Sequence, residues 1–331
     1  RELLDTRINS PRKLLACAER LPIGQVPLLK GLSKNVSAST RYLVDDSDHE
    51  FAAAIRSAQW NFNLQHKNVL SGSVLVTSAL PGEGKTTIAA ALARSLSLAN
   101  KSVLLIDANF SHPGAHRELG ISLKSTGLSN LFTGKQQFYK LLRKDPITKV
   151  HLLSTGPKPQ DPAALFAQDN LGRFLSFAED KYDHVIVDGA ALSAGPEALL
   201  LSRHVKSTLL VVDSATTTRD HVADSVKSLE SNTSTPFGVV LNRVKNSSQQ
   251  ILFAQTAPSG SAEIPAQDSV ISVSFPKEPE EVLESTSETA TVPGRAGTLG
   301  SKSRQILEAL IRIAEKEDRQ VNINESNSAQ R

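Results

Sequence analysis

The chain has 331 residues, 39% of them hydrophobic, a formal net charge of +3 and a single cysteine, Cys17. That length holds one large α/β domain with appendages, or two small domains, and one cysteine excludes a disulfide framework within the chain. The small net charge argues against a polyanion binder along the whole chain, and no apolar run reaches the roughly 18 residues of a membrane-spanning helix.

Residues 1–46 read as a linker. Pro11, Pro22, Gly24, Pro27 and Gly31 interrupt any long periodic element. Residues 1–34 carry seven Lys and Arg against three acids, a balance that suits an anionic surface as well as a plain solvated face. The chain starts at Arg1 and contains no methionine, so sequence upstream of residue 1 is expected. No signal-peptide pattern stands at this start.

The main domain is expected over 47–245. A helix is predicted at 48–64, where Asp48 can cap it and Phe51, Ile55, Ala58 and Phe62 share one face. Short apolar runs predict strands at 73–78, 103–107, 151–154, 185–188, 209–213 and 238–242. Helical text lies between them at 86–98, 162–177, 196–203 and 221–230. Strands alternating with helices predict an α/β fold with a mostly parallel sheet and helices on both faces.

Residues 246–300 change character. They are rich in Ser, Thr, Pro and Glu, carry seven acids against two bases and have no tyrosine. This composition predicts a disordered acidic linker. In the final segment, 301–331, Ile306, Leu307, Leu310, Ile311 and Ile313 predict an amphipathic helix followed by a frayed tail.

One motif carries chemistry. Ala79-Leu80-Pro81-Gly82-Glu83-Gly84-Lys85-Thr86-Thr87 follows a predicted strand and opens a predicted helix. It departs from the phosphate-loop pattern only at Ala79, where that pattern has glycine. Gly82 and Gly84 suit a loop whose N–H groups turn inward around phosphate oxygens, with Glu83 between them. The helix N-terminus adds partial positive charge. Lys85 is expected to reach the β- and γ-phosphates of ATP, Thr86 to ligate Mg²⁺, and Thr87 to sit near the α-phosphate. Asp107 and Asp188 end two predicted strands, where open parallel sheets bind ligands. Both are candidate catalytic carboxylates and magnesium ligands, with Asp188 the better one. Asn242 ends another strand.

At these residues a family comes into view. Residues 70–245 resemble the cytoplasmic kinase domain of bacterial tyrosine kinases in the exopolysaccharide chain-length-determinant (polysaccharide co-polymerase) group, within the MinD/ParA-like P-loop ATPases. The phosphate loop carries the resemblance. So do Val103-Leu104-Leu105-Ile106-Asp107-Ala108-Asn109, with Pro113, His116 and Gly120 behind it, and Gly156-Pro157-Lys158-Pro159-Gln160-Asp161-Pro162. Tyr182-Asp183-His184-Val185-Ile186-Val187-Asp188 and Gly238-Val239-Val240-Leu241-Asn242 complete it. The start, Leu4-Asp5-Thr6-Arg7-Ile8-Asn9-Ser10-Pro11, looks like that group's juxtamembrane linker. The resemblance implies a P-loop NTPase fold, ATP and Mg²⁺ as cofactors, and adenine recognition by Asn242. It also implies a place at the cytoplasmic face of the bacterial inner membrane beside transmembrane chain-length and polymerase machinery. Assembly with like subunits follows from it too, and nucleic acid does not.

The departures separate three readings. Asn109 stands where the group has a second Asp, Gly189-Ala190-Ala191 follows Asp188 in place of Thr-Pro-Pro, and Ala53 replaces an arginine of the assembly helix that keeps Glu50 and Arg56. The chain has only Tyr42, Tyr139 and Tyr182, with no tyrosine-rich tail. An autokinase-like enzyme and a catalytically weak, ATP-gated assembly module both fit. A ParA-like positioning ATPase is the third reading; the linker and the absence of the extra loop lysine oppose it. The scattered histidines form no metal motif, and Trp60 reads as core or as an interface anchor.

Overall fold

The computed structural model describes residues 6–29, 38–65, 72–123, 125–133, 136–167 and 169–245. They belong to the first of two units, Arg1–Gln249; the second is Gln250–Arg331. The acidic linker and terminal helix expected beyond residue 245 lie outside the described residues.

One sheet organises the described residues. Its strands are β1 (Gly24–Pro27), β2 (Gly72–Ser78), β3 (Val103–Asp107), β4 (Arg143–Lys144), β5 (His151–Leu153), β6 (His184–Ala191), β7 (Ser207–Asp213) and β8 (Phe237–Val244). Their order is β1-β8-β7-β2-β6-β3-β5-β4. Only the β4–β5 pair is antiparallel. This is the mostly parallel α/β sheet that the sequence predicts.

The strands are apolar on both sides because helices cover both sides. In β2, Val74 and Val76 enter one core while Leu75 enters the other; in β3, Leu105 and Leu104 divide in the same way. Such period-2 alternation between two apolar faces marks buried parallel strands. On the first face pack α2 (Ala38–Asp45), α3 (Glu50–Gln65) and α4 (Lys85–Leu98), through Leu43, Phe51, Phe62, Ile88 and Leu96. The loop after β3 holds the short α5 (Ala115–Leu119). The second face is covered by α6 (Leu128–Phe132), α7 (Phe138–Leu141), α8 (Pro162–Phe166), α9 (Asp169–Lys181) and α10 (Glu197–Ser202), over β2, β3, β5 and β6. A third cluster joins β7 and β8 to α1 (Pro11–Ala18) and α11 (Arg219–Asn232).

The linker expected at residues 1–46 gives way where that segment is described. Ile8, Leu14, Ile23 and Val26 are buried, and β1 runs parallel to β8. Ile8 donates its N–H to the Thr217 carbonyl at 2.9 Å, and Arg219 donates to the Thr6 carbonyl at 2.9 Å. The prolines mark element ends here. Ser10 caps α1 by accepting from the Lys13 N–H, with Pro11 in the first turn where no N–H is needed. Pro27 ends an edge strand, the place in a sheet that tolerates a missing donor.

Two smaller expectations also change. The helix predicted at 162–177 is two helices, α8 and α9: Asp161 caps the first through the Ala164 N–H, and Asp169 occupies the first turn of the second. Trp60 is not core, being 63% exposed, and Leu64 one turn later shares that exposure.

A buried ion pair ties the α2–α4–α5 side together. Arg94 of α4 grips Asp145 with two hydrogen bonds, Nε to Oδ2 at 2.9 Å and Nη2 to Oδ1 at 2.8 Å. Both side chains are 0% exposed. The rest of the guanidinium donates to the Thr40 hydroxyl at 2.8 Å and the Leu119 carbonyl at 3.2 Å. Thr40 in turn donates to the Glu118 carbonyl at 2.9 Å.

Candidate functional site

Polar residues collect toward the C-terminal edge of the sheet, where β3 and β7 end at Asp107 and Asp213 while β6 and β8 run on to Ala191 and Val244. β3 and β6 bring Asp107 opposite Asp188, and β7 and β8 bring Asp213 opposite Asn242. β2 lies between β6 and β7, so the loop leaving it is flanked on both sides by these ends. A crevice outside the carboxyl ends of parallel strands is where such sheets take ligands.

The loop after β2 has the backbone that its sequence requires. Gly82 and Gly84 have φ of 86° and 92°, in the left-handed region that glycine enters without steric cost. Space above Gly82 is open: an added Cβ would meet nothing within 4 Å. At Gly84 an added Cβ would lie 2.3 Å from Nδ2 of Asn242. Gly84 is the N-cap of α4, and Lys85, Thr86 and Thr87 form its first turn. Lys85 is buried, while Thr86 and Thr87 are partly accessible.

Two residues expected to touch the nucleotide also brace the loop. Glu83 turns its side chain inward and is 1% exposed. Its carboxylate accepts from the Leu80 N–H at 2.7 Å, from the Asp213 N–H at 3.2 Å and from the Thr217 hydroxyl. Burial raises its pKa, and these hydrogen bonds oppose the rise. Only the backbone N–H of Glu83 is left for a phosphate. Asn242 donates its side-chain amide to the Glu83 carbonyl at 2.8 Å and accepts from the Arg243 N–H at 2.9 Å. It holds the loop from behind with one amide N–H and one lone pair of its oxygen.

The two aspartates differ in what they have left to offer. Asp107 accepts three backbone N–H groups: Asn109 at 3.2 Å, Gly114 at 2.9 Å and Ala115 at 3.1 Å. Asp188 is fully buried, and neither of its oxygens has a hydrogen-bond partner among the described residues. Burial pushes both carboxyls up. Three N–H donors, then the Lys85 ammonium, restrain Asp107. The charge of Asp107 pushes Asp188 further, against Lys85 and the nearby Thr86 hydroxyl, which does not complete a hydrogen bond of normal geometry. A buried carboxylate with unused lone pairs is costly unless a cation answers it. Asp188 and Thr86 therefore fit a hard divalent cation such as Mg²⁺, an oxygen-seeking ion; Asp107 can join them with its remaining lone pair.

Residues that sequence reasoning passed over complete the surroundings. Glu118 of α5 accepts the Thr87 hydroxyl at 2.7 Å. Asp213 holds Arg243 at 2.6 Å and also accepts the Ala215 N–H at 2.8 Å. Nothing in the local sequence marks Glu118, whereas Asp213 ends its strand as Asp107 does and could have been found by the same signal. Asn109 is buried, and its side-chain oxygen accepts the His112 N–H at 3.2 Å. Tyr182 shares a hydrogen bond with Nδ1 of His151 at 2.8 Å, and burial pushes its hydroxyl up to about 12. Among the described residues no three His, Cys, Asp or Glu side chains gather into a group that could hold a metal ion by themselves.

Comparison with known proteins agrees with this geometry. Residues 74–270 match the CobQ/CobB/MinD/ParA nucleotide binding domain family. The chain is 31% identical over 173 residues to the tyrosine-protein kinase YwqD of Bacillus subtilis, covering 52% of this chain and 73% of that one. It is 26% identical over 254 residues to the tyrosine-protein kinase wzc of Salmonella typhimurium, covering 74% of this chain but only 35% of the relative. It thus spans about a third of the length of that larger protein. The kinase domain of the Escherichia coli tyrosine kinase ETK superposes with a TM-score of 0.66 at 24% identity, over 78% of this chain and all of that domain, and so shares the fold. The chain belongs to the CobQ/CobB/MinD/ParA nucleotide-binding family, in its bacterial tyrosine-protein-kinase branch.

Proposed function

We propose that this chain binds ATP with Mg²⁺ at the loop Gly82–Thr87 and transfers its γ-phosphoryl group, as the cytoplasmic ATP-dependent part of an exopolysaccharide chain-length regulator. The observation that carries this is the pairing of Asp107 with Asp188 at the strand ends, with the Asp188 carboxylate buried and unpartnered beside Lys85 and Thr86. Phosphoryl transfer asks for positioning and charge neutralisation more than for covalent chemistry. Lys85 binds the β- and γ-phosphates, the loop N–H groups fix the chain of phosphates, and Asp188 with Thr86 holds the metal. Asp107 fixes the turn leading to α5 and orients the attacking group. Mg²⁺, when bound, neutralises the charge of the phosphate oxygens. Partners are the transmembrane chain-length machinery and further copies of this chain.

A second reading is favoured by specific residues. Asn109 brings no charge next to Asp107, and the Tyr182 hydroxyl is engaged with His151. On that reading bound ATP orders the domain and gates assembly, with little transfer to tyrosine. Incubating the protein with Mg·ATP, beside a Lys85→Ala control, separates the two. Phosphate release and peptide mapping by mass spectrometry are the readouts. Phosphotyrosine that vanishes in the control supports the autokinase; phosphate release alone supports a gating ATPase. Neither product, in a protein that binds ATP, sinks the transfer chemistry.

A further inference from the structure

We propose that Glu118 is a positioning residue that competes with the nucleotide for the hydroxyl of Thr87. The inference rests on the ATP site proposed above and concerns how tightly that site closes on its ligand.

Thr87 lies in the first turn of α4, two residues past Lys85, on the helix end that faces the phosphates. A threonine hydroxyl has one proton to donate. Here that proton goes to Oε1 of Glu118 at 2.7 Å. A phosphate offers only acceptors, so Thr87 can bind one only by withdrawing its proton from Glu118. Two acceptors, the Glu118 carboxyl and the phosphate, then contend for a single donor.

Glu118 is not placed to yield. Its side chain is 3% exposed, and its second oxygen, Oε2, has no partner among the described residues. Losing Thr87 would leave both oxygens of a buried carboxyl unsatisfied. Its backbone is anchored from behind: the Glu118 carbonyl accepts the Thr40 hydroxyl at 2.9 Å, and the Leu119 carbonyl accepts Arg94 at 3.2 Å. Arg94 is itself locked to Asp145. The carboxyl therefore stays fixed while Thr87 turns to the ligand. The consequence is a nucleotide held less tightly than the loop alone would hold it, and so released more readily.

Calorimetric titration of the whole chain with ADP and magnesium chloride at pH 8, where Glu118 is ionised, tests this through a double-mutant cycle. The four proteins are wild type, Glu118→Gln, Thr87→Val and the double variant; Glu118→Leu stands in should the glutamine variant fail to fold. An amide accepts more weakly than a carboxylate, so Glu118→Gln is expected to tighten ADP by about five- to tenfold. In the Thr87→Val background the same change is expected to have no effect, because the contested proton is gone. An equal gain in both backgrounds would mean that Glu118 acts only as a nearby negative charge, and the proposal would be wrong. Weaker or unchanged binding in the glutamine and leucine variants would also overturn it. Failure of the wild type to bind ADP at all would instead remove the nucleotide site, and the competition with it.

Discussion

Asn242, two residues before the end of β8, donates its side-chain amide to the backbone carbonyl of Glu83 at 2.8 Å, reaching past β7 to the loop that leaves β2. The same amide fills the space a side chain at Gly84 would need. One contact thus fixes the loop and explains why the position must be glycine. An Asn242→Ala variant leaves a buried carbonyl without its donor, at a cost of about 1–2 kcal/mol. It is expected to melt earlier and bind ATP more weakly. Gly84→Ala adds a left-handed backbone strain to a steric overlap and is expected to abolish ATP binding. A Gly84→Ala protein that binds ATP like the wild type would contradict the loop geometry.

The Arg94–Asp145 pair predicts a stability effect with a distinctive pattern. Arg94→Met strands a buried carboxylate and is expected to cost about 3–5 kcal/mol in urea unfolding. Replacing both residues by apolar ones of similar size removes the stranded charge. The double variant Arg94→Met/Asp145→Leu is therefore expected to lie closer to the wild type than either single variant. Additive losses would show that the pair is not the buried unit described.

Glu118 predicts a pH dependence. Burial pushes its carboxyl from an ordinary 4.5 up to about 7, against the Thr87 hydroxyl and the charges of Arg94 and Arg117. The folded protein therefore binds a proton that the unfolded chain has already released between these values. Stability from this group is complete below about pH 4.5 and is lost as pH rises through about 7. The size of the loss is on the order of 3 kcal/mol. Thermal unfolding of Glu118→Gln beside the wild type isolates the group from Asp107 and Asp188. The variant is expected to gain on the wild type between pH 5 and 8, and a constant difference would refute the assignment.

Asp188 predicts opposite effects with and without ligand. Its carboxyl is raised by burial and by Asp107, so stability from this group is present below about pH 3.8 and is lost as pH rises through about 8. Asp188→Asn is expected to be more stable than the wild type in EDTA at pH 8. It is also expected to lose the thermal upshift that magnesium and ADP give the wild type. An undiminished upshift would place the metal elsewhere.

Much of this was legible before the fold was known. Buried parallel strands write themselves as short β-branched runs, so the strands carrying Asp107 and Asp188 could be named from the sequence, although the second runs on past Asp188 to Ala191. The phosphate loop was legible because its glycines, lysine and threonines are contiguous. What the sequence hid was set by tertiary contact. Glu83 stands inside the motif, yet Leu80, Asp213 and Thr217 turn its side chain inward. Asn242 was expected to end its strand, but β8 runs on to Val244, and the Glu83 carbonyl takes an N–H of its amide. The prolines of residues 1–46 suggested a linker, whereas Pro11 opens α1 and Pro27 closes an edge strand. Glu118 lies in a five-residue helix too short to show a period.

Equilibrium titration of the protein with ATP, with and without magnesium, against Lys85→Ala, tests the central claim most directly. Saturable binding is expected, tightened by magnesium and weakened at least about tenfold by the substitution, a loss of roughly 1.4 kcal/mol or more. Binding that ignores both magnesium and Lys85, or no binding by the wild type, would contradict it.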